Sequence, residues 1–239
     1  MGAVNVMTQQ KGWNASFNFR VGDSILPRAR NAELANALHD PDVSDLIMID
    51  ADTYCSADDL AKLVTHEVDV VGAPYRTRNE PLAWPSVRWL HQDVALSDNG
   101  LLEVEGIGTG MMRVSRNAMQ QLYAAEPESY KDPTCKPGVA KPVFWFNVSD
   151  GHLWGEDIVF CRKWRTLGGK IWTDPSITTA HIGTTSYTAN LAQYLSAQPE
   201  NIQIDDVIGK QTMVKNGFFK APGAAPAPAH LHLPSPEAA

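Results

Sequence analysis

The sequence predicts an α/β fold with a mixed, mostly parallel sheet flanked by helices, and three observations carry that expectation. Short apolar runs of strand length alternate with longer stretches of helical periodicity. One run, Leu46-Ile47-Met48-Ile49, empties into two carboxylates one residue apart, Asp50 and Asp52, ahead of a capped helix. The 239 residues are 44% apolar and 20% charged, which suits one globular domain with a sizeable core.

Taken in order, residues 1–16 show weak periodicity and no motif. The alternation in Phe17-Asn18-Phe19-Arg20-Val21 predicts a strand. Residues 26–31 lead into a helix through Leu38, with Leu34, Ala35 and Leu38 on one side. The strand before Asp50 is brief, bounded by polar residues and carries two isoleucines. Ser56, with Asp59 three residues on, is the cap of a helix from Ala57 to about His66. Residues 68–75 form another apolar strand, stopped by Gly72 and Pro74. Residues 76–93, with two prolines and two tryptophans, are expected as loop.

A strand over 101–104 runs into a glycine-rich turn, Gly106-Ile107-Gly108-Thr109-Gly110, and a strand over 111–114 follows. Ser115 caps a helix to about Ala124, with Met119, Leu122 and Tyr123 at helical spacing. Residues 126–142, broken by Pro and Gly, are expected to be irregular, and 143–147 a strand. Trp154-Gly155-Glu156-Asp157 opens an amphipathic helix with Phe160, Trp164 and Leu167 on one face, stopped by Gly168-Gly169. Strands at 170–173 and 177–181 flank the turn Asp174-Pro175, and a helix is expected over 189–197. One domain over 1–219 follows, with an Ala/Pro-rich disordered tail over 220–239. His230 and His232 fall in that tail, where solvation outweighs metal binding.

Composition excludes several classes. A formal net charge of −7 without any Lys/Arg run argues against a nucleic-acid binder. Cys55, Cys135 and Cys161 are scattered and odd in number, so neither a disulfide framework nor a zinc cluster is indicated. No apolar run approaches membrane-spanning length, and residues 1–10 are too polar for a signal peptide. The expectation is a cytoplasmic protein without a transmembrane segment.

The chemistry-bearing residues are few. Asp50 and Asp52 sit where a parallel strand ends, at the crevice in which open α/β sheets bind ligands. Strand alternation sends both carboxylates to one side, where they repel unless a cation lies between them. Hard oxygen ligands suit Mg²⁺ or Mn²⁺. An exposed turn with two solvated acids accounts for the pair equally well. Glu156 and Asp157 begin a helix, where the dipole favours carboxylates and capping alone explains them. The Gly106/Gly108/Gly110 run lacks dinucleotide-binding spacing, leaving a close backbone approach to a ligand or a tight turn. A lone His181 is structural unless it lies near the acidic pair. Trp84, Trp89, Trp145 and Trp154 suit core packing more often than stacking on sugar faces.

As a set these residues resemble a GT-A-fold glycosyltransferase, close to the family-2-like transferases of bacteria and their phages. The resemblance rests on Ala29-Arg30-Asn31, Asp50-Ala51-Asp52, Val71-Gly72-Ala73-Pro74-Tyr75, Gly108-Thr109-Gly110, Trp154-Gly155-Glu156-Asp157, Trp172-x-Asp174-Pro175 and His181-x-Gly183, and runs from about Arg28 to Gly183. It implies a GT-A-like sheet and a nucleotide-sugar donor, UDP- or GDP-linked, with an unknown glycan, lipid or protein as acceptor. It further implies Mn²⁺ or Mg²⁺ held by Asp50, Asp52 and His181. Asp157, with Glu156 beside it, matches the position of the catalytic base of inverting members. Arg30 matches a basic position facing the donor, and Gly108, Thr109 and Gly110 would line the donor and acceptor sugars. The family usually begins with a strand and a Pro-containing turn that bind the base; fewer than about thirty residues precede Arg30, so that strand is degenerate, missing or upstream.

Three rivals stand against this reading. A HAD-type phosphohydrolase also begins from an acidic pair, but wants Thr or Val where Tyr54 stands. A sugar nucleotidyltransferase needs a basic, glycine-rich N-terminal loop that is lacking. The third is a non-catalytic, transferase-like protein that binds carbohydrate or nucleotide without turnover.

Overall fold

The structure, a computed structural model, describes residues 13–78, 83–90, 93–198, 201–206 and 209–216. The expected tail over 220–239, with His230 and His232, and most of 1–16 lie outside the described residues. Helix α1 (Leu26–His39) starts with Pro27 in its first turn, where the missing N–H costs nothing. Strand β1 (Asp45–Ile49) and the short β2 (Thr53–Cys55) follow. Helix α2 (Ala57–Thr65) is capped by Ser56, whose Oγ accepts from Asp59 N at 3.1 Å. Strands β3 (Val70–Gly72), β4 (Val87–Arg88), β5 (Asp93–Ala95), β6 (Leu102–Val104), β7 (Gly106–Ile107) and β8 (Met111–Ser115) precede helix α3 (Arg116–Ala125), capped by Ser115. Two hairpins, β9 (Tyr130–Lys131) with β10 (Val139–Ala140) and β11 (Asn147–Ser149) with β12 (His152–Trp154), lead to helix α4 (Glu156–Thr166). Strands β13 (Ile171–Thr173), β14 (Thr178–Ile182) and β15 (Ser186–Asn190), helix α5 (Leu191–Ala197), and the hairpin β16 (Asn201–Asp206) with β17 (Gly209–Asn216) complete the order.

The fold is mixed α/β with helices flanking a mixed sheet, but the expectation of a mostly parallel sheet is corrected. The central sheet runs β1-β8-β3-β13-β6, and only β3–β13 is a parallel pair within it. The strand–helix alternation gives β1, β3 and β13 a common direction. Strand β8 then inserts antiparallel between β1 and β3, so neighbours oppose although the three strands agree. Their carboxyl ends, with the amino end of β8, share one edge. Around the sheet lie two- and three-stranded sheets, largely antiparallel.

Strand alternation divides the core. Val70, Met112, Val114 and Ile171 face a layer built with Leu34 of α1, Met119 and Leu122 of α3, and Phe160 and Trp164 of α4. Val71 and Met111 point the other way, against Leu63 of α2 and Ile177. Among the described residues no helix is long and apolar enough to cross a membrane.

Five local expectations are also corrected. Residues 17–21 form no strand; Phe19 and Val21 are exposed, and Arg20 Nε instead binds Glu33 of α1 at 2.8 Å. Residues 143–146 form no strand because a side chain does a strand's work. Asn31 Oδ1 accepts from Phe144 N and Asn31 Nδ2 donates to Phe144 O, both at 2.8 Å, which satisfies the buried backbone. Phe144 then stacks on Phe160 with ring centroids 4.4 Å apart. Gly106 and Ile107 pair with β4 rather than turning, which also makes part of the expected 76–93 loop a strand. The stretch 126–142 contains the β9–β10 hairpin.

Candidate functional site

The common edge of β1, β3 and β13 gathers most of the residues singled out from the sequence. At the end of β1, Asp50 N donates to Gly110 O at 2.9 Å, and Thr53 N donates back to Asp50 O at 3.0 Å. Strand β1 ends at Ile49, before either aspartate, so the turn rather than strand alternation places the two carboxylates, and they take different partners. Asp50 goes to Arg30: Nη2 to Oδ1 is 3.2 Å. Asp52 goes to Arg78 and His181.

Pairing of β14 with β2 brings His181 in. His181 lies opposite Thr53 in the register, and Ile182 N donates to Asp52 O at 2.7 Å. Nε2 of His181 is then 3.6 Å from Asp52 Oδ2, and its Nδ1 lies 2.9 Å from Arg76 O. The guanidinium of Arg78 contacts both groups, binding Asp52 Oδ2 through Nη2 and donating from Nε to His181 Nε2 at 3.1 Å. A guanidinium only donates, so Nε2 presents its lone pair and Nδ1 carries the proton that is given to Arg76 O.

The second carboxylate pair meets the first through Arg30. This arginine is buried, bonds Glu156 through Nη1 and reaches Asp50 through Nη2. Glu156 is therefore held by α1. Asp157 is not part of that ion pair; its Oδ1 accepts from Ile158 N at 2.7 Å, at the start of α4. Burial, and then the charge of Glu156, hold the Asp157 carboxyl above the usual carboxylate range. Gly155 caps the helix, and a Cβ there would meet Asp157 Oδ1 at 2.8 Å.

Near Asp157 and Asp50 lies Tyr75, the last residue of the Val71-Gly72-Ala73-Pro74-Tyr75 motif, to which the sequence assigns no role. Its buried phenol is pushed well above the ordinary tyrosine value by burial first, then by Asp157 and Asp50. Gly108 and Gly110 lie on its ring: a Cβ on Gly108 would meet the Tyr75 hydroxyl at 2.1 Å, and one on Gly110 would meet the ring at 2.8 Å. The glycines thus permit close approach of the Tyr75 ring, while Thr109 is buried. Arg78 was missed altogether; a single arginine in a loop carries no sequence signal.

Trp154, next to Gly155, is gripped on its ring by two guanidinium groups, with Arg88 at 4.4 Å and Arg162 at 3.9 Å from the centroid. Glu105 bridges both, accepting from Arg88 Nε at 2.8 Å and from Arg162 Nη2 at 3.0 Å. Trp84 and Trp89 are buried like Trp154, whereas Trp145 is half-exposed.

Among the described residues no group of three or more His, Cys, Asp or Glu is arranged to hold a metal ion. Arg78 engages both Asp52 Oδ2 and His181 Nε2, the two donors that a Mg²⁺ or Mn²⁺ ion arriving with a ligand would need. These two donors lie 3.6 Å apart; Mg²⁺ is commonly held by one or two carboxylates plus substrate phosphates. Asp50, engaged by Arg30, is separate from that pair.

No family model and no curated protein matches the chain. Among solved structures it is similar to the crystal structure of A197 from STIV, at 14% identity and a TM-score of 0.46, over 95% of this chain and 92% of that one.

Proposed function

We propose that this chain is a divalent-metal-dependent glycosyltransferase of GT-A type, moving a sugar from a nucleotide-sugar to an acceptor hydroxyl with inversion. The observation that supports the reading is two side-chain groups flanking Tyr75: Asp52 with His181, whose ring meets the Tyr75 ring edge-on at 5.4 Å, and Arg30 bridging Asp50 to Glu156, next to Asp157. Asp52 and His181 would hold Mn²⁺ or Mg²⁺. A bound cation would supply Lewis-acid stabilisation of the charge that develops on the departing diphosphate. Arg30 orients Glu156 and Asp50, fixing the start of α4 against the end of β1. Asp157 takes the acceptor hydroxyl proton at Oδ2, since Oδ1 is occupied by Ile158 N–H; its raised pKa makes it a stronger base than an ordinary aspartate. Half-exposed Trp145 is available to stack on a sugar.

Calorimetric titration of UDP and GDP, with and without Mn²⁺, tests the reading. Metal-dependent binding that vanishes in Asp52→Ala is expected; absence of binding by every nucleoside diphosphate tried would overturn it. One observation favours a second reading, binding without turnover: Asp50 and Asp52 are each already countered by an arginine. Nucleotide-sugar hydrolysis separates the two, because a binding module leaves the donor intact.

A further inference from the structure

We infer that Arg78 is a displaceable guard of the cation-binding pair: its guanidinium caps Asp52 Oδ2 and His181 Nε2 together, so cation uptake requires Arg78 to be released. The inference rests on the proposed cation site and adds a coupling which that site alone does not require.

The geometry has three parts. The Arg78 fork engages Asp52 Oδ2 and His181 Nε2 together, the two atoms that a cation would need. A side chain that uses both donors excludes the ion by occupancy as well as by charge. The stem of Arg78 runs over Gly183, where a Cβ would stand 3.1 Å from Arg78 Cδ. The glycine of the His181-x-Gly183 motif is thus the groove that lets the guard lie across the site. The backbone segment beside the guard is anchored: His181 Nδ1–H donates to Arg76 O, and Thr77 N donates to Ala83 O at 3.0 Å. The same histidine ring therefore touches the segment through one nitrogen and the guard through the other. The Arg78 and Asp52 side chains are 43% and 39% exposed, so water replaces their contact readily and release costs little.

Direct Mn²⁺ titration, followed by the electron paramagnetic resonance of free Mn²⁺, tests this on the full chain. Arg78→Ala is expected to tighten Mn²⁺ by about two- to fivefold, and Asp52→Ala to abolish binding. Arg78→Lys keeps the charge but cannot span both partners, so it is expected to tighten Mn²⁺ as well. Wild-type affinity in Arg78→Lys would overturn the guard and leave a plain charge effect. Amide hydrogen exchange supplies the second readout: Mn²⁺ is expected to speed exchange around Thr77 in the wild type and to leave Arg78→Ala unchanged. Mn²⁺ binding without that response would overturn the coupling while sparing the cation site. Absence of Mn²⁺ binding in both wild type and Arg78→Ala would sink the site and the guard together.

Discussion

Arg30 of α1 reaches Asp50 at the end of β1 and Glu156 at the start of α4, so one buried guanidinium ties the two acidic motifs of the chain together. The Glu156 side chain is 11% exposed, and removing its partner would leave a buried charge uncompensated. Arg30→Ala is expected to lose about 3 kcal/mol in urea denaturation, with most of the loss recovered in Arg30→Ala/Glu156→Gln. An undiminished loss in the double variant would show that packing, rather than charge, sets the cost.

Asp157 carries a pH signature. Its carboxyl titrates above the ordinary value because burial, then Glu156, disfavours the charge. The folded state therefore prefers the protonated form, and this contribution to stability, full below the unfolded pKa, is lost as pH rises through the folded pKa. Asp157→Asn, whose amide oxygen can still accept from Ile158 N–H, is expected to be more stable than the parent at pH 7. The difference should vanish at acid pH. Transfer should fall by about 10²–10⁴-fold with nucleotide affinity unchanged; retained transfer would remove Asp157 as the base.

Asp174 behaves in the opposite sense. Burial works against its ionisation, but hydrogen bonds from His66 and Ser176 prevail and hold its carboxyl below the usual range; His66 Nε2 is 2.8 Å from Oδ2. That stabilisation is present above the unfolded pKa and is lost as pH falls through the folded pKa. Asp174→Asn is expected to cost about 1–3 kcal/mol at neutral pH, with the two melting curves converging in acid.

The glycines under Tyr75 make a selective test. Gly108→Ala puts a methyl on the phenol oxygen, whereas Gly110→Ala puts one on ring carbons. Each is expected to cost about 1–3 kcal/mol. Removing the hydroxyl with Tyr75→Phe should partly rescue Gly108→Ala and leave Gly110→Ala as it was, read by thermal denaturation of the double variants.

Trp154 positions rather than reacts. Its indole N–H is buried without a hydrogen-bond partner, so Trp154→Phe forfeits area but no bond. Trp154→Ala, which empties the space between Arg88 and Arg162, is expected to cost about 3–5 kcal/mol. Trp154→Phe should keep the fold and lower turnover more than donor affinity, because Gly155 and Asp157 follow it directly. An equal fall in both would argue for a general structural role.

What the sequence by itself determined was local. The caps Ser56 and Ser115, the strand ending in Asp50, and the helix opening at Glu156 stand close to where periodicity and capping chemistry placed them, because those signals act over three or four residues. The tertiary structure alone decided the rest. Strand β8 inserted between β1 and β3 and made a sheet of co-directional strands mostly antiparallel in its pairings. Asn31 replaced a strand partner at Phe144. The turn at Asp50 took both aspartates out of the strand and gave them different partners, and the β14–β2 ladder carried His181 to Asp52. Hydrogen bonds between segments distant in the chain leave no periodic trace, since each partner would be satisfied equally well by water until the fold brings the other to it.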